Sequence, residues 1–269
     1  MLRRHHHDDG LFHKGGTVVG PLDIPVRPVK PRKEGLTLIN DRGVGLGAWH
    51  DTIQMAGQYV DVVKLGIGTA YVMQNLEEKV AFLEDHEILV VLGGTLFENF
   101  WAQGKLDEYE MLLHRLKLRC VEVSSGSYPI PVEEKIAIVQ HFAHHYQVMA
   151  EVGSKDESSQ PAIKEQVAEA HALRAAGASK VIMEGRASGT GGMYNAHGEA
   201  DDALINAMTR SIPISDIIFE APQEQQQIAF IRRYGPNVNL GNVPFEDILM
   251  LETERLGLRF DTQNCREVL

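Results

Sequence analysis

Residues 148–186 read VMAEVGSKDESSQPAIKEQVAEAHALRAAGASKVIMEGR, and the order of patterns in this stretch decides the fold. Val148–Glu151 is a short apolar run of β type. Ile163–Ala175 then places Ile163, Val167, Ala170 and Leu173 at helical spacing. Ala176-Gly177-Ala178 ends that helix and feeds a second run, Lys180–Met183. A strand, a helix and a strand in this order make one unit of a parallel sheet.

The alternation extends in both directions. Candidate strands are Leu36–Ile39, Val60–Lys64, Ile88–Leu92, Cys120–Val123, Val148–Glu151, Lys180–Met183, Ile217–Phe219 and Val238–Leu240. Amphipathic segments such as Asn75–Glu84, Glu108–Leu116 and Val132–His144 lie between them. Phe245–Leu256 is expected as the last helix, with Leu249 and Leu256 on its inner face. Eight strand–helix pairs predict an α/β fold, a (βα)8 TIM barrel over residues 35–262, with a doubly wound open sheet as the alternative. Residues 1–34 carry Pro21, Pro25, Pro28 and Pro31, too closely spaced for a helix, and predict an extended N-terminal arm. Residues 263–269 form a C-terminal tail. The run Arg3-Arg4-His5-His6-His7-Asp8-Asp9 is read as a disordered leader, because histidines in a mobile tail rarely fix a metal.

The totals narrow the function. The chain has 269 residues and a formal charge of −11, which argues against nucleic acid or an anionic membrane as a main partner. No apolar stretch approaches the length of a membrane span, and Cys120 and Cys265, the two cysteines, suggest no disulfide framework. A cytoplasmic enzyme is the expectation. No Gly-Lys-Ser/Thr phosphate loop, dinucleotide fingerprint or Gly-x-Ser-x-Gly elbow is present.

Polar residues gather where the apolar runs end. The ends supply Asn40-Asp41-Arg42-Gly43, Lys64-Leu65-Gly66, Gly93-Gly94-Thr95 with Glu98 beyond, and Glu122 before Ser124-Ser125-Gly126. Glu151 to Lys155, Glu184-Gly185-Arg186, Glu220-Ala221-Pro222 and Asn239-Leu240-Gly241-Asn242 complete the set. In a barrel these positions share one rim, the rim that carries catalysis. Carboxylates gathered without His or Cys suit Mg²⁺ rather than zinc. Arg42, Lys64 and Arg186 are candidate anion ligands. The Gly-rich loop Arg186 to Gly192 offers Ser188 and Gly189 as places where backbone N–H groups can wrap a phosphate or sulfonate. His50 and His197 are read as structural or solvent-exposed.

These blocks resemble the phosphosulfolactate synthase (ComA-like) family. The resemblance rests on Lys30 to Thr37, Asp41-Arg42-Gly43, Val63 to Thr69, Gly93 to Glu98, Val121 to Ser124, Glu151-Val152-Gly153, Ile182 to Gly189, Ile218 to Pro222 and Arg233 to Val243. It implies a Mg²⁺-dependent lyase that joins sulfite to phosphoenolpyruvate to give (2R)-phospho-3-sulfolactate, a step towards coenzyme M in methanogens, and it makes a homo-oligomer the expectation. On this resemblance Arg42, Lys64, Arg186, Ser188, Gly189, Asn239 and Asn242 bind the small anionic substrates. Glu122, Glu151 and Glu220 are expected at the metal, with Lys155, Lys64 and Glu184 at the chemistry, although the four glutamates compete for the metal. The chain departs from the family in two places. Ser154 stands where a lysine usually follows Glu-Val-Gly, with Lys155 one place later, and Thr190 holds the place of a lysine in the Gly-rich loop. The loop path therefore either brings Lys155 into the site or leaves it in solvent. The alternatives are a related lyase or aldolase on another phosphorylated or sulfonated acid, and a non-catalytic protein like the family's heat-stress-associated plant members.

Overall fold

The computed structural model describes residues 22–156 and 160–264, together with the backbone of a two-stranded ribbon, His13–Lys14 against Thr17–Val18. The leader Arg3–Asp9 and the end of the tail, 265–269, lie outside the described residues.

Eight parallel strands form the barrel: β1 (Thr37–Asp41), β2 (Val62–Leu65), β3 (Leu89–Val91), β4 (Cys120–Val123), β5 (Gln147–Val152), β6 (Ala178–Met183), β7 (Ile217–Glu220) and β8 (Leu240–Val243). The helices among the described residues are α1 (Leu46–Ala56), α2 (Thr69–Val72), α3 (Leu76–Asp85), α4 (Gly94–Ala102), α5 (Leu106–Arg115), α6 (Val132–Ala143), α7 (Ile163–Ala175), α8 (Asp202–Ser211), α9 (Glu224–Tyr234) and α10 (Ile248–Arg255). Hydrogen-bonded neighbours run β3-β2-β1-β8-β7-β6-β5-β4, so the first and last strands pair and the sheet curls into a cylinder. This is the expected TIM barrel, and the open-sheet alternative is excluded by the β8–β1 ladder. Among the described residues the junction of β3 with β4 carries no ladder.

Strand periodicity organises the core. Val63, Val121, Ala150, Val181 and Phe219 point outward, where they pack with the helices in one large buried cluster. Leu38, Val62, Cys120, Met149, Ile182 and Ile218 form a second cluster inside the cylinder. Two residues after each of these comes Asn40, Lys64, Glu122, Glu151, Glu184 or Glu220. Successive strand side chains alternate faces, so a residue two places along stands one layer higher on the same inner wall. The local pattern of apolar residue, then polar residue, therefore stacks a layer of polar side chains on an apolar plug. That layer lies at the C-terminal mouth of the barrel.

The opposite end is closed by the arm and by β8's approach. Arg27 donates to Glu252 (3.0 Å) and to the carbonyls of Gly35 and Pro236. Arg32 pairs with Asp61 (3.1 Å), and Asp61 accepts the Thr37 N–H. Residues 22–34 are thus extended, as the proline spacing requires, and are riveted to the barrel base.

Two sequence expectations are corrected. The last strand is Leu240–Val243 rather than Val238–Leu240, because the Asn239 side chain takes up backbone groups at the base before the ladder begins. The last helix begins at Ile248 after a 3-10 turn, Phe245–Asp247, and its buried face is Ile248, Leu251, Glu252 and Arg255. Leu256 is buried, but Leu249 is 45% exposed, on the outer side of the helix.

Candidate active site

A cavity of about 260 Å³ opens at the mouth. Its wall includes Asn40, Lys64, Glu122, Glu151, Lys155, Glu184, Arg186, Ser188, Glu220 and Asn242, drawn from seven strands and their loops.

Glu151, Glu184 and Glu220 each offer an oxygen within 4.8 Å of the other two, and all three are buried. Glu220 is fully engaged: Lys64 Nζ donates to Oε1 at 2.6 Å, and the Gly185 N–H donates to Oε2 at 2.9 Å. Glu151 Oε1 and Glu184 Oε2 are buried and accept no hydrogen bond among the described residues. Without a cation, a proton shared by these two carboxyl groups relieves their contact. Burial, with Glu151 and Glu220 nearby, accordingly holds Glu184 well above the usual carboxylate range. Burial also acts against charge on Glu151, but Lys155, the Glu184 hydrogen bond and Lys64 outweigh it and set Glu151 below that range.

Glu122, expected with the metal group, lies outside the cluster of Glu151, Glu184 and Glu220. Its Oε1 accepts the Gly94 N–H at 2.7 Å across the unpaired β3–β4 junction, and its Oε2 stands 3.6 Å from Lys64. Burial pushes its carboxyl up to about 7, with Lys64 opposing and Glu151 and Glu220 assisting. Glu184 thus takes the place expected of Glu122 in the carboxylate trio. Lys64 is buried, which works against its charge, yet Glu122, Glu220 and Glu151 keep its ammonium above the ordinary lysine value.

The loop path brings Lys155 in. Its N–H donates to Gly126 O at 3.0 Å, and its Nζ stands 3.5 Å from Glu184 and 3.7 Å from both Glu151 and Glu98. Burial is again outweighed by these carboxylates, and the ammonium is held above the ordinary value. Ser154 turns the other way: its Oγ accepts from Asp156 N, and its carbonyl accepts from Gln160. Gly126 leaves room for these groups, since a Cβ there would stand 2.9 Å from Lys155 Nζ and 3.0 Å from Glu151 Oε1 and would press both side-chain ends aside. The loop that carries Gly126 is tied down by Glu98 of α4. This buried carboxylate accepts the Ser124 hydroxyl and the N–H groups of Gly126 (3.1 Å), Ser127 (2.7 Å) and Tyr128 (2.9 Å).

The remaining expected residues separate. Arg186 and Ser188 line the cavity, and Arg186 is anchored through its N–H to Glu184 Oε1 at 2.6 Å. The N–H groups of the Gly189 loop, expected to wrap an anion, have partners within the chain. That of Gly189 donates to Arg186 O, those of Thr190 and Gly191 go to Ser188 Oγ and Tyr194 O, and Gln226 holds the Gly189 carbonyl. Arg42 is exposed on the loop after β1 and is not among the cavity-lining residues. Asn239 belongs to the opposite end of the barrel: its amide accepts the Leu36 N–H and donates to Ser215 O and Ile217 O. His50 and His197 are both exposed, His50 with its ring against Phe82.

Asn40, named among the strand ends but given no role there, is a cavity residue. The signal for it is the two-residue step from the inward Leu38, the same step that yields Lys64 and the four glutamates.

The profile of the (2R)-phospho-3-sulfolactate synthase (ComA) family matches residues 25–261, which include every cavity residue. The chain belongs to this family. It is 41% identical over 244 residues to a phosphosulfolactate synthase of Bacillus subtilis (strain 168), covering 90% of this chain and 97% of that protein. It is 38% identical over 236 residues to a phosphosulfolactate synthase of Methanocaldococcus jannaschii, covering 86% and 94%. Phosphosulfolactate synthase relatives at this identity make the chain a member of an enzyme family. Solved structures with the same fold include 3-hexulose-6-phosphate synthase from Salmonella typhimurium, with TM-score 0.51 and 16% identity over 86% of this chain and 97% of that one. A putative dihydrodipicolinate synthase family protein from Coccidioides immitis also has TM-score 0.51, at 8% identity, over 90% and 78%. At these identities the likeness extends to the barrel alone. No helix among the described residues is long and apolar enough to cross a membrane.

Proposed function

We propose that this chain is a Mg²⁺-dependent phosphosulfolactate synthase that adds sulfite to phosphoenolpyruvate, giving (2R)-phospho-3-sulfolactate. The observation that carries the reading is the pair of buried oxygens, Glu151 Oε1 and Glu184 Oε2, that accept no hydrogen bond among the described residues and that Lys155 Nζ approaches only to 3.7 and 3.5 Å. Such oxygens are costly to bury unless a proton or a cation reaches them. Glu151, Glu184 and Glu220 would hold the ion, an oxygen-only donor set of the kind Mg²⁺ takes. Four cavity glutamates stand against Lys64, Lys155 and Arg186, and a divalent ion would ease the repulsion that remains among the carboxylates. Bound there, Mg²⁺ supplies a Lewis acid for substrate oxygens on which negative charge builds.

The chain's own groups supply the rest. The sulfur lone pair of sulfite bonds to the methylene carbon of phosphoenolpyruvate, and the double-bond electrons move towards the carboxylate. A proton delivered to the adjacent carbon then completes the product. Lys155 carries that proton: its ammonium stays charged among Glu151, Glu184 and Glu98, and it enters from one side of the cavity only, which fixes the face of protonation. Lys64 lies below and holds Glu220 and Glu122 in place. Arg186 and Ser188 at the mouth receive an anionic end of the substrates.

The test is a mass-spectrometric assay of the purified chain with phosphoenolpyruvate, sulfite and Mg²⁺. Phosphosulfolactate is expected, and Lys155→Ala is expected to lower kcat by roughly 10²- to 10⁴-fold. No product above a chelator-treated blank refutes the synthase reading.

A further inference from the structure

The cavity has two unlike halves. Glu122, Glu151, Glu184 and Glu220 stand on β4 to β7, and the other half is built from β8, β1 and β2. Asn40 is the register partner of Lys64, and Gly241, beside Asn242, is the register partner of Glu220. Asn242, Asn40 and Lys64 therefore follow one another around the rim.

The two amides are unspent. Asn40 is 8% and Asn242 5% exposed, both line the cavity, and both Oδ1 atoms are buried without a hydrogen-bond partner among the described residues. Neither side chain donates a hydrogen bond in the described structure, in contrast to Asn239, whose amide is satisfied at both ends. Both positions are also built at some expense. Asn242 adopts φ of 52°, in the left-handed region, and Gly66 packs so closely on Asn40 that a Cβ would lie 2.0 Å from Oδ1. A buried amide without partners destabilises a fold unless something else completes it. Rotation about the terminal torsion exchanges donor and acceptor, so either amide can present N–H groups to the cavity. Among the described residues Lys64 is the one cation that lines this half, and it is already engaged by Glu220 and Glu122, so recognition here runs through neutral donors.

We propose that Asn40 and Asn242 form a paired-amide subsite for an oxyanion of the substrates, the phosphate ester or sulfite, on the side of the cavity away from the carboxylates. The inference rests on the synthase reading, since it names which chain groups select that substrate's anion. It makes Asn40 and Asn242 specificity determinants and leaves Arg186 to the other anion at the mouth.

Calorimetric titration with phosphoenolpyruvate alone and sulfite alone, in Mg²⁺, tests the subsite without requiring turnover. Asn40→Ala and Asn242→Ala should each weaken one of the two ligands by roughly ten- to hundredfold, the scale of a hydrogen bond to a charged group, and leave the other within about twofold. The ligand that weakens identifies the source of the oxyanion. The melting temperature should stay level or rise, which a structural amide would not allow. Asn40→Asp and Asn242→Asp, isosteric but anionic, should weaken the same ligand further and serve where an alanine variant fails to fold. Affinities unchanged in all four variants, or a wild-type chain that binds neither ligand, would overturn the subsite. A wild-type chain that binds an oxyanion through these amides but forms no product keeps the subsite and removes the synthase reading. Product formation with unchanged affinities does the reverse.

Discussion

Replacing Lys64 with methionine removes a charge and little volume, and its effect on stability can be worked out from the site. Lys64 Nζ lies 2.6 Å from Glu220 and 3.6 Å from Glu122, and all three side chains are at most 8% exposed. Removing one member of such a group strands the others. The usual cost is about 3–5 kcal/mol, far above that of a surface pair. At this chain length 1 kcal/mol corresponds to roughly 2 °C, so the melting temperature should fall by roughly 6–10 °C at pH 8. The pH dependence separates charge from packing. Glu122 titrates at about 7 in the fold, above its ordinary value. A carboxyl raised on folding contributes stability that is complete below its unfolded pKa and is lost as pH rises through the folded one. Without Lys64 the folded value climbs further, so the deficit of the variant is widest above pH 7 and narrows towards pH 5. Thermal denaturation of both proteins in chelator, at pH 5.5 and pH 8, measures this. An equal deficit at both pH values would show that the lysine stem, not its charge, is what the site needs.

Mg²⁺ at a hundred times its Kd should stabilise the wild-type chain by about 2.7 kcal/mol, roughly 5 °C, and Glu184→Gln should remove most of that rise in a thermal-shift titration. An undiminished rise in the variant would place the ion elsewhere. Glu98→Gln sets an amide N–H₂ against the N–H groups of Ser127 and Tyr128, so hydrogen exchange at these two amides should quicken by more than about tenfold. Unchanged protection there would show that the carboxylate does not tie the loop.

The barrel was legible in the sequence because its signal is repeated. Apolar runs such as Cys120–Val123 and Ile217–Phe219 are short, bounded and separated by helical periodicity, and the structure moves most of their ends by only one or two residues. β8 was misplaced because Val238 resembles a strand residue, whereas the ladder starts after Asn239 has used its side chain at the base. Leu249 was misplaced because the 3-10 turn at Phe245–Asp247 changes the phase of the helix, which apolar spacing alone does not reveal. In the site, residues lodged in strands could be read, since strand alternation fixes where Lys64, Glu122, Glu151, Glu184 and Glu220 point. Loop residues could not. Gly189 spends its N–H inside its own loop, Arg42 is exposed, and Lys155 enters on a loop whose path is fixed by its N–H to Gly126 O and by Arg186 on its carbonyl. Those outcomes depend on contacts between loops, and a single sequence does not record them.

A cylinder of eight staves has eight joints, and β3–β4 is the one without a ladder among the described residues. Its fastening is a clasp of side chains. Glu122 on one stave accepts the Gly94 N–H beyond the other, and Glu98 gathers donors from the loop opposite. Both carboxylates also face the cavity's ammonium groups, Lys64 at 3.6 Å and Lys155 at 3.7 Å. The hoop is therefore held shut by charges that an anionic guest must share. The state of this one joint is thereby tied to what occupies the mouth.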